Sequence, residues 1–325
     1  MPLGRTNIPC YGYPTMPRFD LCGKYAVLTG GGSGITLEFI KLLLAGGTSV
    51  IVGDLHLRPE AEEVAATYPH PPRDPQKASF VFHRTDVTSW PGLSSLWTAA
   101  LATFPQVDLV VPGAGILEPT WSSFWFPPGA EGSPSTDDAD AEPGTYATLD
   151  VDLVHPIRLA QLALAYWTAR KVKGNLLFVG SVAGYTSTVH VPLYHAAKAG
   201  IHGFVKSIAP LHARLGIRVA CIAPGPVRTP IWNPNVPIAK RGDEQPTLTP
   251  EFVAELMLDV CTSDRYGDGN IVECIEVGTS DKHNPTFREV PCHLLYPSLD
   301  PSVSPAMDAE EQRLWKRLET RGFEA

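Results

Sequence analysis

Short apolar runs alternating with helix-period stretches predict an α/β fold, a doubly wound parallel sheet covered by helices on both faces. A glycine-rich turn, Thr29-Gly30-Gly31-Gly32-Ser33-Gly34-Ile35, joins the first run to the first helical stretch. The runs and helices follow one another as βαβ units, whose crossovers are right-handed. Together these features place a dinucleotide-binding type of sheet, a Rossmann fold, in one domain.

Tyr25–Thr29 reads as the first buried strand, and the glycine turn leads from it into a helix over Ile35–Ala45. Ser49–Gly53, Ser79–Arg84 and Leu109–Gly113 continue the strands, with helices at Ala61–Tyr68 and Trp90–Phe104 between them. Thr145–Arg170 has helical spacing, as do Pro192–Arg214 and Pro250–Cys261. Asn175–Gly180, Arg218–Ala223 and Asn270–Val277 are the strands interleaved with them. Three segments break the rhythm: an arm over residues 1–23, an aromatic and acidic insertion over 117–143, and an extension over 279–325. The expected body therefore spans 24–278, and the extension carries a helical pattern, Met307–Arg321, with Leu314, Trp315 and Leu318 on one side.

With 325 residues the chain can bury a sizeable core. Its 34 acidic and 26 basic residues give a formal charge of −8, which repels phosphate backbones and argues against nucleic acid as a partner. No run of apolar residues is long enough to span a bilayer. The first 20 residues lack the apolar stretch of a secretory signal, so the expected location is cytoplasmic. Cys10, Cys22, Cys221, Cys261, Cys274 and Cys292 lie far apart with no Cys-x-x-Cys pair. Free thiols and no metal site are expected.

The glycine turn lets backbone N–H groups of Gly30, Gly32, Ser33, Gly34 and Ile35 approach a pyrophosphate at a helix N-terminus. Asp54 ends the second strand, where a carboxylate accepts from both ribose hydroxyls of NAD and repels the extra phosphate of NADP. Arg58 is the one nearby cation that speaks for NADP, and a solvated loop acid is the plain alternative for Asp54. Asp86, followed by Val87, lies where it can reach an adenine amino group or simply cap a helix.

Ser181 closes the strand Leu176-Leu177-Phe178-Val179-Gly180, and Tyr194-His195-Ala196-Ala197-Lys198 opens the next helix. Tyr194 and Lys198 share a helix face at i, i+4. An ammonium group beside a phenol favours the phenolate and lowers a pKa that is otherwise about 10. Ser181 can then hold a substrate oxygen against the tyrosine.

These residues, in this order, resemble the short-chain dehydrogenase/reductase family from about Lys24 to Val277. Pro224-Gly225-Pro226-Val227-Arg228-Thr229 is similar to the family's Pro-Gly-x-Val-x-Thr segment. The resemblance implies that Tyr194 is the general acid/base and that Lys198 holds the nicotinamide ribose. It also implies that Ser181 positions the carbonyl, and that Val227 and Thr229 bind the carboxamide. With its tail, the chain looks most like fungal members described as similar to NAD-dependent 15-hydroxyprostaglandin dehydrogenase. Family members pair through the helices that here contain Asp152–Arg170 and Pro192–Arg214, so a homodimer or homotetramer is expected.

Three positions depart from the family pattern. Thr36 stands at the third glycine of the turn. Pro112-Gly113-Ala114-Gly115 replaces Asn-Asn-Ala-Gly, and Asp152 replaces the asparagine that completes the catalytic tetrad. Asp152 adds a negative charge near Lys198 and predicts an alkaline optimum for oxidation. Trp121, Phe124, Trp125 and Phe126 read either as the mouth of an apolar substrate pocket or as a satellite hydrophobic cluster. Trp232 reads as a lid contact, and His195 as packing. The expectation is an NAD-dependent oxidoreductase acting on a secondary alcohol or ketone. Two alternatives stay open: the same fold used for non-redox chemistry, and a dinucleotide-binding protein without catalysis.

Overall fold

The computed structural model describes residues 19–74, 76–231, 247–279, 282–291 and 305–323. Cys10, Trp232 and Cys292 lie outside the described residues. Seven parallel strands form the sheet: β1 (Tyr25–Thr29), β2 (Ser49–Asp54), β3 (Phe80–Arg84), β4 (Leu109–Pro112), β5 (Gly174–Val179), β6 (Ile217–Pro224) and β7 (Asp268–Glu276). An eighth, β8 (Pro285–Glu289), runs antiparallel to β7, giving the order β3-β2-β1-β4-β5-β6-β7-β8. Periodicity missed β8, whose residues are all exposed except half-buried Phe287.

Successive side chains of each strand enter two cores on opposite faces. On one face Leu28, Val50, Val52 and Ile222 meet Phe39, Ile40 and Leu43 of α1 (Gly34–Ala45) and Met257 and Val260 of α7 (Pro250–Thr262). On the other face Val27, Val110 and Phe178 pack against Leu93 and Leu96 of α3 (Trp90–Thr103), a helix that follows α2 (Pro59–Thr67) in the chain. Leu159 and Trp167 of α4 (His155–Arg170) and Ile201 and Val205 of α5 (Pro192–Ser207) complete that layer. Both faces being covered is what made the strands continuously apolar.

Two expected helices are interrupted. The stretch read as Thr145–Arg170 is a short turn (Ala147–Leu149) and a π-helical segment (Asp150–Val154) before α4 begins. Pro156 offers no N–H to the Asp152 carbonyl four residues earlier and crowds it, so the turn widens there. The stretch read as Pro192–Arg214 divides into α5 and α6 (Leu211–Leu215), with Pro210 at the break. In the C-terminal stretch, α8 (Pro305–Thr320) buries Trp315, over which the Arg214 guanidinium stacks at 4.8 Å.

Strand order reverses between β1 and β4, which opens a crevice at the carboxyl ends of the strands. The glycine turn after β1 and the loops after β2, β4, β5 and β6 all end around one cavity of about 760 Å³. No helix among the described residues is long and apolar enough to cross a membrane. Cys22, Cys221, Cys261 and Cys274 form no disulfide.

Candidate active site

The glycine turn lines one end of the cavity. Gly30 and Gly34 adopt φ of 70° and 62°, the left-handed region that favours glycine. A Cβ on Gly30 would lie 2.5 Å from the Ala114 Cα, so turn and β4 loop touch backbone to backbone. Ser33 precedes α1 without a side-chain cap, and no acidic residue lies in the first turn, so the α1 N-terminal amides face the cavity end with their positive dipole unopposed. Ile35, Thr229 and Pro230 flank the same end. This wall suits a dinucleotide pyrophosphate.

Asp54 sits beside it. Its Oδ2 accepts from the Gly32 amide at 2.8 Å and its Oδ1 from the Leu55 amide at 2.7 Å, fixing the carboxylate at the cavity wall. Exposed Arg58 lines the wall as well. Asp86 and Val87 follow after β3. Ser89, not Asp86, caps α3; Asp86 instead accepts from the Thr88 amide and hydroxyl.

Gly113, Ala114 and Gly115 form the cavity floor after β4. The Thr29 hydroxyl accepts from the Gly113 amide at 3.1 Å and donates to His155 Nε2 at 2.9 Å. His155 Nδ1 donates to the Val151 carbonyl at 2.9 Å, which fixes the tautomer. Burial lowers the His155 pKa to about 4, so the ring is neutral and serves as a strut.

Ser181, Tyr194, Lys198 and Asp152 come together on the far side. Ser181 Oγ donates to the Pro224 carbonyl at 3.3 Å and accepts from the Ala183 amide at 3.1 Å. Lys198 Nζ lies 5.4 Å from the centre of the Tyr194 ring and donates to the Val179 carbonyl at 3.3 Å. Asp152 Oδ1 is 3.4 Å from Lys198 Nζ and accepts from the Ile116 amide at 3.3 Å. Asp152 Oδ2 is buried and has no hydrogen-bond partner among the described residues.

Charge and burial compete here. Burial pushes the Asp152 carboxyl up to about 6, although Lys198 and the Ile116 amide pull the other way. Burial pulls the Lys198 ammonium down, but Asp152 and Tyr194 outweigh it and leave the pKa raised. The Tyr194 phenol also lies above its ordinary value. Burial raises it most, Asp152 adds to the rise, and Lys198 and the nearby Ser181 hydroxyl only partly counter them. The sequence reading considered the ammonium and Asp152 but not burial, which dominates.

Ile116, Leu117, Pro119, Trp121, Val191 and Ile231 give the cavity an apolar stretch of wall, with Thr186 and Thr188 also on its lining. Phe124 and Trp125 stand outside the cavity wall, edge to face at 5.0 Å, and Trp125 Nε1 donates to the Val189 carbonyl at 2.6 Å. Pro224, Gly225 and Val227 line the cavity from the β6 side. His195 is a strut, as expected, its Nδ1 directed at the Ala183 and Thr186 carbonyls at 3.0 and 2.8 Å.

Sequence reading missed Glu118. This buried carboxylate accepts from Ser123 Oγ and the Phe124 amide, and its other oxygen accepts from the Tyr194 amide at 3.1 Å. It thereby ties the insertion to the first turn of α5 and caps that turn from a distance. Its only signal in the sequence is an acid set between Leu117 and Pro119.

A family model described as short chain dehydrogenase matches residues 24–237, and the chain belongs to that family. It is 28% identical to a short-chain dehydrogenase/reductase, prx4, of Penicillium roqueforti, over 64% of this chain and 55% of the relative. The chain thus spans about 55% of that relative's length. It is 31% identical to a cis-4-hydroxycyclohexanecarboxylate dehydrogenase of Sinomonas cyclohexanicum, over 64% of this chain and 75% of the relative. The crystal structure of a short-chain type dehydrogenase/reductase from Mycobacterium marinum shares the fold, with TM-score 0.62 at 21% identity, covering 78% of this chain and 94% of that one.

Proposed function

We propose that the protein is an NAD(H)-dependent oxidoreductase that interconverts a secondary alcohol and a ketone on a fairly large apolar substrate. The observation that carries this reading is the convergence of Ser181, Tyr194 and Lys198 on a cavity whose opposite end is the glycine turn.

Bound along that wall, the nicotinamide cofactor supplies the hydride acceptor or donor. The chain's own residues handle the proton and the geometry. In oxidation, Tyr194 as phenolate takes the hydroxyl proton while Ser181 holds the oxygen; in reduction the same phenol returns the proton. Lys198 stabilises the phenolate and offers its ammonium to the nicotinamide ribose. Val227 and Thr229 would meet the carboxamide. Asp54, held beside the turn by the Gly32 and Leu55 amides, favours NAD by accepting from the ribose hydroxyls and opposing a 2′-phosphate.

Support for the substrate comes from the cavity wall, which Ile116, Leu117, Trp121 and Ile231 share with Tyr194 and which suits an apolar molecule. The names of the relatives are mixed and do not single out the 15-hydroxyprostaglandin dehydrogenase-like members. We assign the protein to the cytoplasm and, on family analogy, to a homodimer or homotetramer, with residues 279–325 as an extension of the body.

Tyr194→Phe tests the reading in a screen of secondary alcohols with NAD, followed by NADH absorbance. Turnover should fall by about 10²–10⁴-fold while NADH still binds. Substantial residual turnover would remove Tyr194 from its role. Substrate conversion with no change in NADH absorbance would favour non-redox chemistry on the same residues.

A further inference from the structure

Behind the cavity, side chains from three distant stretches meet at one buried carboxylate. Glu273 of β7 is 4% exposed. Its Oε1 accepts from Arg288 Nε of β8 at 2.7 Å, directly across the β7–β8 register. Its Oε2 accepts from the Tyr185 hydroxyl. A buried carboxylate needs such donors, since leaving either oxygen unmet costs more than a neutral hydrogen bond gains.

Tyr185 is four residues beyond Ser181, at the end of the tight turn Val182–Gly184. Burial, then the Glu273 carboxylate, hold its phenol above the usual tyrosine range, so it remains a donor. Its ring stacks on His202 at 5.7 Å and 30°, and His202 sits one turn beyond Lys198 on α5. His202 is itself confined, because a Cβ on Gly184 would fall 2.2 Å from its ring. Past Tyr185, residues Thr186–His190 are exposed. Half-buried Tyr185 is therefore the side chain that anchors the end of the turn that presents Ser181.

We infer that Tyr185, Glu273 and Arg288 form a positioning latch through which strand β8 sets the Ser181 turn against Tyr194 and Lys198. None of the three lines the cavity, so each acts through Ser181 and not on substrate. The kinetic consequence rests on the dehydrogenase reading above; the structural consequence does not.

Two variants test it on the full chain. Tyr185→Phe keeps the stacked ring and removes only the hydroxyl. Arg288→Gln changes an exposed side chain on β8, so it remains informative if the first variant folds poorly. Amide hydrogen exchange over residues 181–190 should accelerate at least about fivefold in both, with residues 29–35 unchanged. Turnover should fall about tenfold with NADH affinity intact, and Arg288→Lys should recover part of it. Exchange over 181–190 within about twofold of wild type in both variants would overturn the latch. Accelerated exchange in a protein that shows no redox turnover even as wild type would uphold the latch and defeat the dehydrogenase reading alone.

Discussion

The Thr36 hydroxyl fills the space that a side chain at Gly113 would need: a Cβ there would lie 2.4 Å from Thr36 Oγ1. Two departures from the family pattern are thus one feature. Bulk has moved from the β4 loop to the first turn of α1, and Thr36 is buried at 3% exposure against the vacated loop position.

Restoring the family asparagine alone, as Gly113→Asn, should therefore overpack the contact and destabilise the fold by about 1–3 kcal/mol. Thr36→Gly alone should cost about 1 kcal/mol through helix propensity and lost packing. The double variant should recover part of the overpacking, because the Thr29 carbonyl, 2.8 Å from the same Cβ, still has to shift. Urea melts of the four proteins measure the coupling. Strict additivity would mean that the two positions do not exchange volume.

Asp152 bears on the pH dependence of turnover. Its charge raises the Tyr194 phenol, and its own carboxyl titrates at about 6. Above pH 6 the carboxylate opposes ionisation of the phenol, so Asp152→Asn should move the rising, acid-side limb of the oxidation profile to lower pH. An unmoved pH–rate profile would mean that the Asp152 charge does not act on ionisation of Tyr194.

Asp54 predicts the nucleotide preference. In a titration followed by tryptophan quenching, NADH should bind at least about tenfold tighter than NADPH, a gap of about 1.4 kcal/mol. Asp54→Ala should narrow that gap by weakening NADH and admitting NADPH. A wild-type preference for NADPH would overturn the assignment and turn attention to Arg58, on the same wall.

What the sequence made legible was local or periodic. The strand alternation, the glycine turn and the Tyr194–Lys198 spacing each lie within a dozen residues, so their geometry follows from helix and strand periods. Asp152 was legible as a position, but the π-helical turn that carries it was not, because its cause is the ring of Pro156 against a carbonyl. Glu118 reaches the Tyr194 amide across 76 residues, and Tyr185 meets Glu273 across 88. No period links such pairs; only the assembled fold does. β8 escaped because Arg288 and Glu289 look like a solvated loop when the partner strand is unknown.

That strand also governs how the molecule meets its neighbours in a crowded solution. Without it, β7 would present a row of unpaired amides and carbonyls along the rim of the sheet, ready to recruit a strand from another chain. β8 takes up that row over Val272–Glu276 and substitutes a rim of only five residues, opened by Pro285 and studded with Arg288 and Glu289. A short, charged, proline-led border gives a foreign strand little to continue. Resistance to self-association at this rim is therefore built by the same residues that brace the Ser181 turn from behind.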